Sequence, residues 1–208
     1  MLYKIFMYYH YTLFLIYIFA IIVSRLCLHK LYYSITNGGH MTKEVLEKVK
    51  QKASKVLSDN HIIEPFVNVF DIADEAGLSI EYRKMPQGNT DVSGFFDSKT
   101  RTIYVNVDNS IARRTYTVAH ELGHYFLEHK PDEYGLYRRN NSYSGTKEEK
   151  EKEADCFAAN LLMPENMIRK ELREYPFLKN SIQLLADRFG VSPSAMTYRL
   201  MNLRIIKR

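Results

Sequence analysis

The stretch TVAHELGHYFLEH, residues 117–129, sets His120, Glu121 and His124 inside an apolar run. On a helix, positions i and i+4 share one face a turn apart, so two imidazoles would point the same way with a carboxylate beside them. Val118, Ala119, Leu122, Phe126 and Leu127 would pack as core around them. Burying two histidines and a glutamate with nothing to answer them is costly, and a divalent cation removes that cost. The fold must therefore bring a further ligand to this helix.

Two neutral imidazoles and one carboxylate suit a tetrahedral Zn2+ whose fourth position is left for water, with a pKa drawn towards ~7. Glu121 then stands where a general base would take the proton during attack on a carbonyl. The plainer alternative is a core helix whose histidines find ordinary hydrogen-bond partners. Gly123, between the two histidines, costs about 1 kcal/mol of helix propensity, which makes sense if a backbone or a substrate must approach there.

His129 lies nine residues beyond His120, on the opposite side of a continuous helix, and reads as a structural or surface residue. Leu127 and Lys130 stand where the longer HExxHxxGxxH pattern requires Gly and His. The third ligand is better sought in KEEKEKEADCFAANLLMPE, where Ala154, Ala158, Leu161 and Leu162 form an apolar stripe. Glu151 and Asp155 fall on that stripe, whereas Glu153 is turned some 200° away with Lys150 and Lys152 towards solvent. Glu151 is thus the expected third ligand, with Glu153 as the fallback. Asp155 is the expected acceptor that orients a ligand imidazole through its other nitrogen.

The remaining pattern is α+β. TKEVLEKVKQKASKVLSDN reads as an amphipathic helix capped by Thr42 and stopped by Asn60, and VNVFDIADEAG as a short helix ending at Gly77. LSIEYRKM alternates as a strand, and VSGFFD and RTIYVNV, joined by SKT, read as a hairpin. Helical signals resume near Ser110 and run to the end, broken by the polar loop KPDEYGLYRRNNSYSGT and by Pro164, Pro176 and Pro193. A small antiparallel sheet packed by helices is the expected architecture.

The first forty residues are different in kind. Residues 5–24 hold twenty positions without a formal charge, long enough for a membrane-spanning helix. Arg25 and Lys30 after them would favour a cytoplasmic C-terminal side. The abrupt change at Met41 suggests the other reading, in which the functional protein starts there and residues 1–40 are an upstream in-frame extension. Codons for Gly38-Gly39-His40-Met41 can contain a ribosome-binding sequence just ahead of a start codon. The net charge of +5 owes three units to Lys4, Arg25 and Lys30 in this segment; the other 26 basic residues nearly balance 24 acidic ones, which gives no ground for nucleic-acid binding. Cys27 and Cys156, far apart in sequence, form no disulfide framework and fit a reducing compartment.

With HELGH, the downstream EKEADCFA and LLMP in place, the chain resembles the ImmA/IrrE metallopeptidases from about Asp71 to Arg204. The resemblance implies a zincin-like domain, one Zn2+ held by His120, His124 and Glu151, and Glu121 as general base and acid. It implies a cytoplasmic metallo-endopeptidase whose partner is a helix-turn-helix repressor of a mobile element or stress regulon. An anchor through residues 5–24 would leave the catalytic domain in the cytoplasm. Tyr116, Tyr134, Tyr137 and Tyr143 are candidate donors to the oxyanion, and the hairpin edge is a candidate docking strand for substrate.

The domain organisation expected is an apolar segment at 1–40, a metallopeptidase domain at 41–176 and a helical region at 177–208. In the last, LLADRFGVSPSAMTYRLMNLRIIKR has a helix-turn-helix pattern about Gly190-Val191-Ser192, with Pro193 at the first helical position. As a DNA reader it would set Arg199, Arg204, Lys207 and Arg208 near phosphates. As a structural pair it would bury Leu184, Leu185, Phe189, Val191, Met196, Leu200 and Leu203 on the peptidase core, and this second use is favoured. The rival to an enzyme is thus a DNA-binding or antitoxin-like protein with a purely structural metal.

Overall fold

The computed structural model describes residues 41–85, 92–130, 136–137, 146–174 and 181–207. The apolar segment 1–40 and its candidate membrane helix lie outside them, as do Tyr134 and Tyr143. Among the described residues no helix is long and apolar enough to cross a membrane.

Helix α1, Lys43–Asp59, starts where Thr42 Oγ1 accepts a hydrogen bond from the Val45 amide (3.3 Å). It ends at Asn60, whose side-chain amide donates to Val56 O (2.8 Å). Each cap satisfies a backbone group that the helix leaves open. Its inner face is Val49, Ala53, Val56 and Leu57. Helix α2, Val69–Glu75, is capped by Asn68, and strand β1, Ser79–Arg83, follows.

Strands β2, Gly94–Asp97, and β3, Thr102–Asn106, form the expected hairpin. Asp97 Oδ1 accepts from the amides of Lys99 and Thr100 in its turn. The sheet as a whole is mixed, not antiparallel. β1 lies on the outer side of β3 and runs parallel to it, with Ser79 opposite Thr102 and Arg83 opposite Asn106. A two-residue strand β4, Leu136–Tyr137, joins β2 from within the polar loop and gives the order β1-β3-β2-β4. A tight turn dictates the sign of β2 against β3 only; the placement of β1 depends on contacts distant in sequence. Both hairpin strands consequently have neighbours on each side at Phe96–Asp97, so the hairpin is not the open edge there.

Helix α3, Ile111–Phe126, lies on β2 and β3 and carries the HELGH segment. It sits close to the sheet at Gly94, where a Cβ would stand 2.5 Å from Thr117 Cγ2 and 2.4 Å from Tyr104 O. Helix α4, Thr146–Leu162, packs against both α3 and α1, and Phe157 stacks on Phe126 with ring centroids 5.8 Å apart. Helix α5, Glu165–Glu174, continues after Pro164.

Helices α6, Ser181–Phe189, and α7, Pro193–Asn202, make the helix-turn-helix pair. Leu185, Ala186, Phe189, Val191, Met196 and Leu200 are buried in the same apolar cluster as the rest of the domain. Leu184, expected in that core, is 62% exposed. Arg199 is buried, and its guanidinium donates to Met163 O (2.9 Å) and Asn160 Oδ1 (2.8 Å) at the C-terminal end of α4. A guanidinium so engaged is not available to a phosphate, which removes Arg199 from the expected DNA-contacting set.

Candidate metal centre

Every residue from 117 to 124 is buried, so α3 is enclosed around its whole circumference at this point. The helix phase brings the two imidazoles together edge to face (interplanar angle 71°) with their Nε2 atoms 3.2 Å apart. Glu151 enters from α4: one carboxylate oxygen lies 3.3 Å from His120 Nε2 and the other 3.5 Å from His124 Nε2. Gly123 explains how α4 comes near enough. A Cβ there would stand 3.0 Å from both Cα and O of Ala154, so the missing side chain is what lets the two backbones meet. Glu151 is one turn before Ala154 on the same face, opposite both imidazoles.

Asp155, one turn after Glu151, places Oδ1 2.8 Å from His120 Nδ1 and accepts a second hydrogen bond from the Tyr116 hydroxyl (2.8 Å). A carboxylate only accepts, so His120 Nδ1 carries a proton, and Nε2 is the nitrogen that a metal ion would take. Tyr116, one of the candidate oxyanion donors, is thus engaged with Asp155. Tyr137 contributes backbone to β4.

His129 and Glu153 differ from the sequence expectation. Helix α3 ends at Phe126, and Glu128 takes a left-handed backbone conformation (φ 55°) that folds the chain back, the His129 amide donating to His124 O (3.1 Å). No Gly or Asn announces this stop, and the advance of 100° per residue holds only as far as Phe126. His129 is buried, with Nδ1 2.9 Å from His124 Nδ1 and Nε2 3.1 Å from Glu153 Oε2. Glu153, expected on the solvated face, is held there with its side chain 26% exposed. It faces His129; Glu151 faces the two imidazoles.

Burial alone would lower the pKa of His120, but the charge and hydrogen bond of Asp155, with help from Glu151 and Glu121, raise it to about 10. His124 is pushed down to about 4, by burial first and then by the neighbouring His120 charge, against the pull of Glu151. Burial opposes ionisation of Glu151, yet hydrogen bonds from both histidines hold its carboxyl well below the usual range.

Ligand atoms about 2.0–2.1 Å from a tetrahedral zinc ion stand roughly 3.3 Å from one another. The Nε2 atoms 3.2 Å apart, with one Glu151 oxygen 3.3 Å from His120 Nε2 and the other 3.5 Å from His124 Nε2, agree with that spacing, and two imidazole nitrogens and a carboxylate are a donor set that zinc accepts. Of the described residues, this is the group whose His, Cys, Asp and Glu side chains could hold a metal ion.

Residues 73–201 match the family model of the IrrE N-terminal-like domain, peptidase family M78. The metallopeptidase ImmA of Bacillus subtilis is 25% identical over 137 residues, covering 65% of this chain and 76% of that protein. The radiation response metalloprotease IrrE of Deinococcus radiodurans is 32% identical over 123 residues, covering 58% of this chain but 36% of its own longer one. A Mycobacterium tuberculosis transcriptional regulator shares the fold, with a TM-score of 0.55 at 16% identity over 74% of this chain and 46% of that one. Since the family model spans more than half of the sequence and encloses the whole donor triangle, the chain belongs to the M78 peptidases of the IrrE N-terminal-like type, and it is a metallopeptidase whose site fits a single zinc ion.

Proposed function

We propose that the chain is a metallo-endopeptidase that cuts a specific protein, with His120, His124 and Glu151 holding zinc and Glu121 moving the proton. The observation that carries this reading is the convergence of His120 Nε2, His124 Nε2 and the Glu151 carboxylate, at separations of 3.2, 3.3 and 3.5 Å close to the tetrahedral spacing. When bound, zinc would supply a Lewis acid for the scissile carbonyl and make water a competent nucleophile near neutral pH. Glu121, buried and next in sequence to His120, would accept the proton released in the attack and return it to the departing amine. Asp155 would keep Nδ1 of His120 protonated and its Nε2 free for the metal.

The substrate class proposed is a helix-turn-helix repressor of a mobile element or stress regulon, as the resemblance to ImmA/IrrE metallopeptidases implies. The chain would act in the cytoplasm. The test incubates the zinc-loaded protein with the product of a neighbouring regulator gene and maps fragments by mass spectrometry. One or a few cuts are expected, and none with Glu121→Gln, which should keep its zinc. Indiscriminate cutting of unrelated proteins would overturn the narrow substrate class. A Glu121→Gln protein that still cuts would overturn the catalytic role. Salt-sensitive DNA retention that survives zinc removal would instead favour the DNA-binding reading.

A further inference from the structure

His120 and His124 are one turn apart on α3, yet their outer nitrogens are held differently. His120 Nδ1 meets the Asp155 carboxylate directly at 2.8 Å. His124 Nδ1 meets another imidazole, His129, at 2.9 Å, and that ring reaches the Glu153 carboxylate at 3.1 Å. We propose that His129 is a positioning residue for His124, and that Glu153, His129 and His124 form a hydrogen-bonded line that selects the His124 tautomer whose Nε2 can ligate the metal. This rests on the reading that His120, His124 and Glu151 hold zinc.

The direction of the line follows from donor and acceptor capacity. Glu153 Oε2 can only accept, so His129 Nε2 carries a proton and donates it. In the neutral ring His129 Nδ1 then has a lone pair and accepts from His124 Nδ1–H. That hydrogen selects the tautomer of His124 in which Nε2 has none. The opposite tautomer would point an N–H at His120 Nε2, 3.2 Å away, and occupy the place of the ion. The line is also well anchored. His129 is buried, its ring lies edge-on to His124 at a centroid distance of 5.0 Å, and its amide donates to the His124 carbonyl. Glu128 adopts a left-handed conformation, unfavourable for a side chain with a Cβ, at the residue that turns His129 back under the helix.

The experiment measures zinc affinity by competition with a chromophoric chelator, and the visible spectrum of the Co2+-substituted protein as a report on ligand geometry. His129→Phe keeps the ring volume but removes the acceptor; zinc should bind roughly 10- to 100-fold more weakly and the Co2+ bands should shift. His129→Asn puts an amide oxygen near the former Nδ1 and should recover most of the affinity. Glu153→Ala cuts the line at its more exposed end, should fold normally, and should weaken zinc several-fold. If His129→Phe fails to fold, Glu153→Ala decides alone. Native affinity and an unchanged Co2+ spectrum in these variants would overturn the relay while leaving the metal site standing. A native protein that bound no zinc, or a Glu151→Gln protein that bound it as well as native, would instead overturn the metal site.

Discussion

Arg199 in α7 and the cluster between α3 and α4 bury charge to a similar extent: Arg199 is 7% exposed, His120 5%, His124 2% and Glu151 7%. They differ in where their hydrogen bonds go. Arg199 spends its donors on a carbonyl and an amide oxygen of a neighbouring helix, so a cation meets acceptors and nothing further is required. In the cluster, two imidazole Nε2 atoms and a carboxylate, all groups that ligate metals, converge on one point from two helices. Buried polarity of the first kind fastens the C-terminal pair to α4; buried polarity of the second kind makes a binding site.

The largest effect that separates the two regions is expected from Glu121→Gln, which should lower the rate of substrate cleavage roughly 10^2- to 10^4-fold in a discontinuous peptide assay, with zinc content and melting temperature unchanged. Glu151→Gln should reduce zinc affinity more than about 100-fold, whereas Glu153→Gln should keep one ion per chain. Equal zinc loss in both would erase the distinction drawn between the two acids. Arg199→Met should do the reverse, leaving zinc stoichiometry intact while costing about 1–3 kcal/mol in urea unfolding, because Met163 O and Asn160 Oδ1 lose their partner. If zinc were lost along with stability, the regions would be one cooperative site.

Gly123→Ala sharpens the comparison at the crossing of α3 and α4. Ala is the better helix former by about 1 kcal/mol, yet the added Cβ would meet Ala154 backbone at 3.0 Å, so a net loss of about 1–2 kcal/mol is expected together with weaker zinc binding. A stabilised protein would show that the helices can part without cost. A smaller signal concerns protons. With its pKa raised to about 10 by Asp155, His120 holds a proton at pH 8 in the metal-free protein, and zinc must displace it. Zinc uptake should therefore release about one proton at pH 8, read from titration enthalpies in buffers of different ionisation heat, and the release should shrink as pH rises past 10. The least effect is expected from Leu184→Ala, within about 0.5 kcal/mol, since that side chain is exposed.

Local rules made much of this protein legible. Thr42, Asn60, Ser110 and Ser192 cap helices because their short polar side chains reach the open backbone groups next to them. His120 and His124 share a face because 3.6 residues make a turn. The stripe of Ala154, Ala158, Leu161 and Leu162 shows which side of α4 faces inward, and Glu151 lies on that side. All of these depend on residues within one or two turns of one another.

What the tertiary structure alone decided depends on residues distant in the chain. β1 runs parallel to β3 because α2 and the sheet edge place it there, and no turn links those two strands. Leu184 points outward because α6 packs along Leu185, Ala186 and Phe189. His129 returns to the centre because α3 stops three residues before it, at a left-handed Glu128 that residue preference does not mark. Periodicity reports the direction of a side chain only while its element continues. Where the element ends, and what it meets there, is settled by packing.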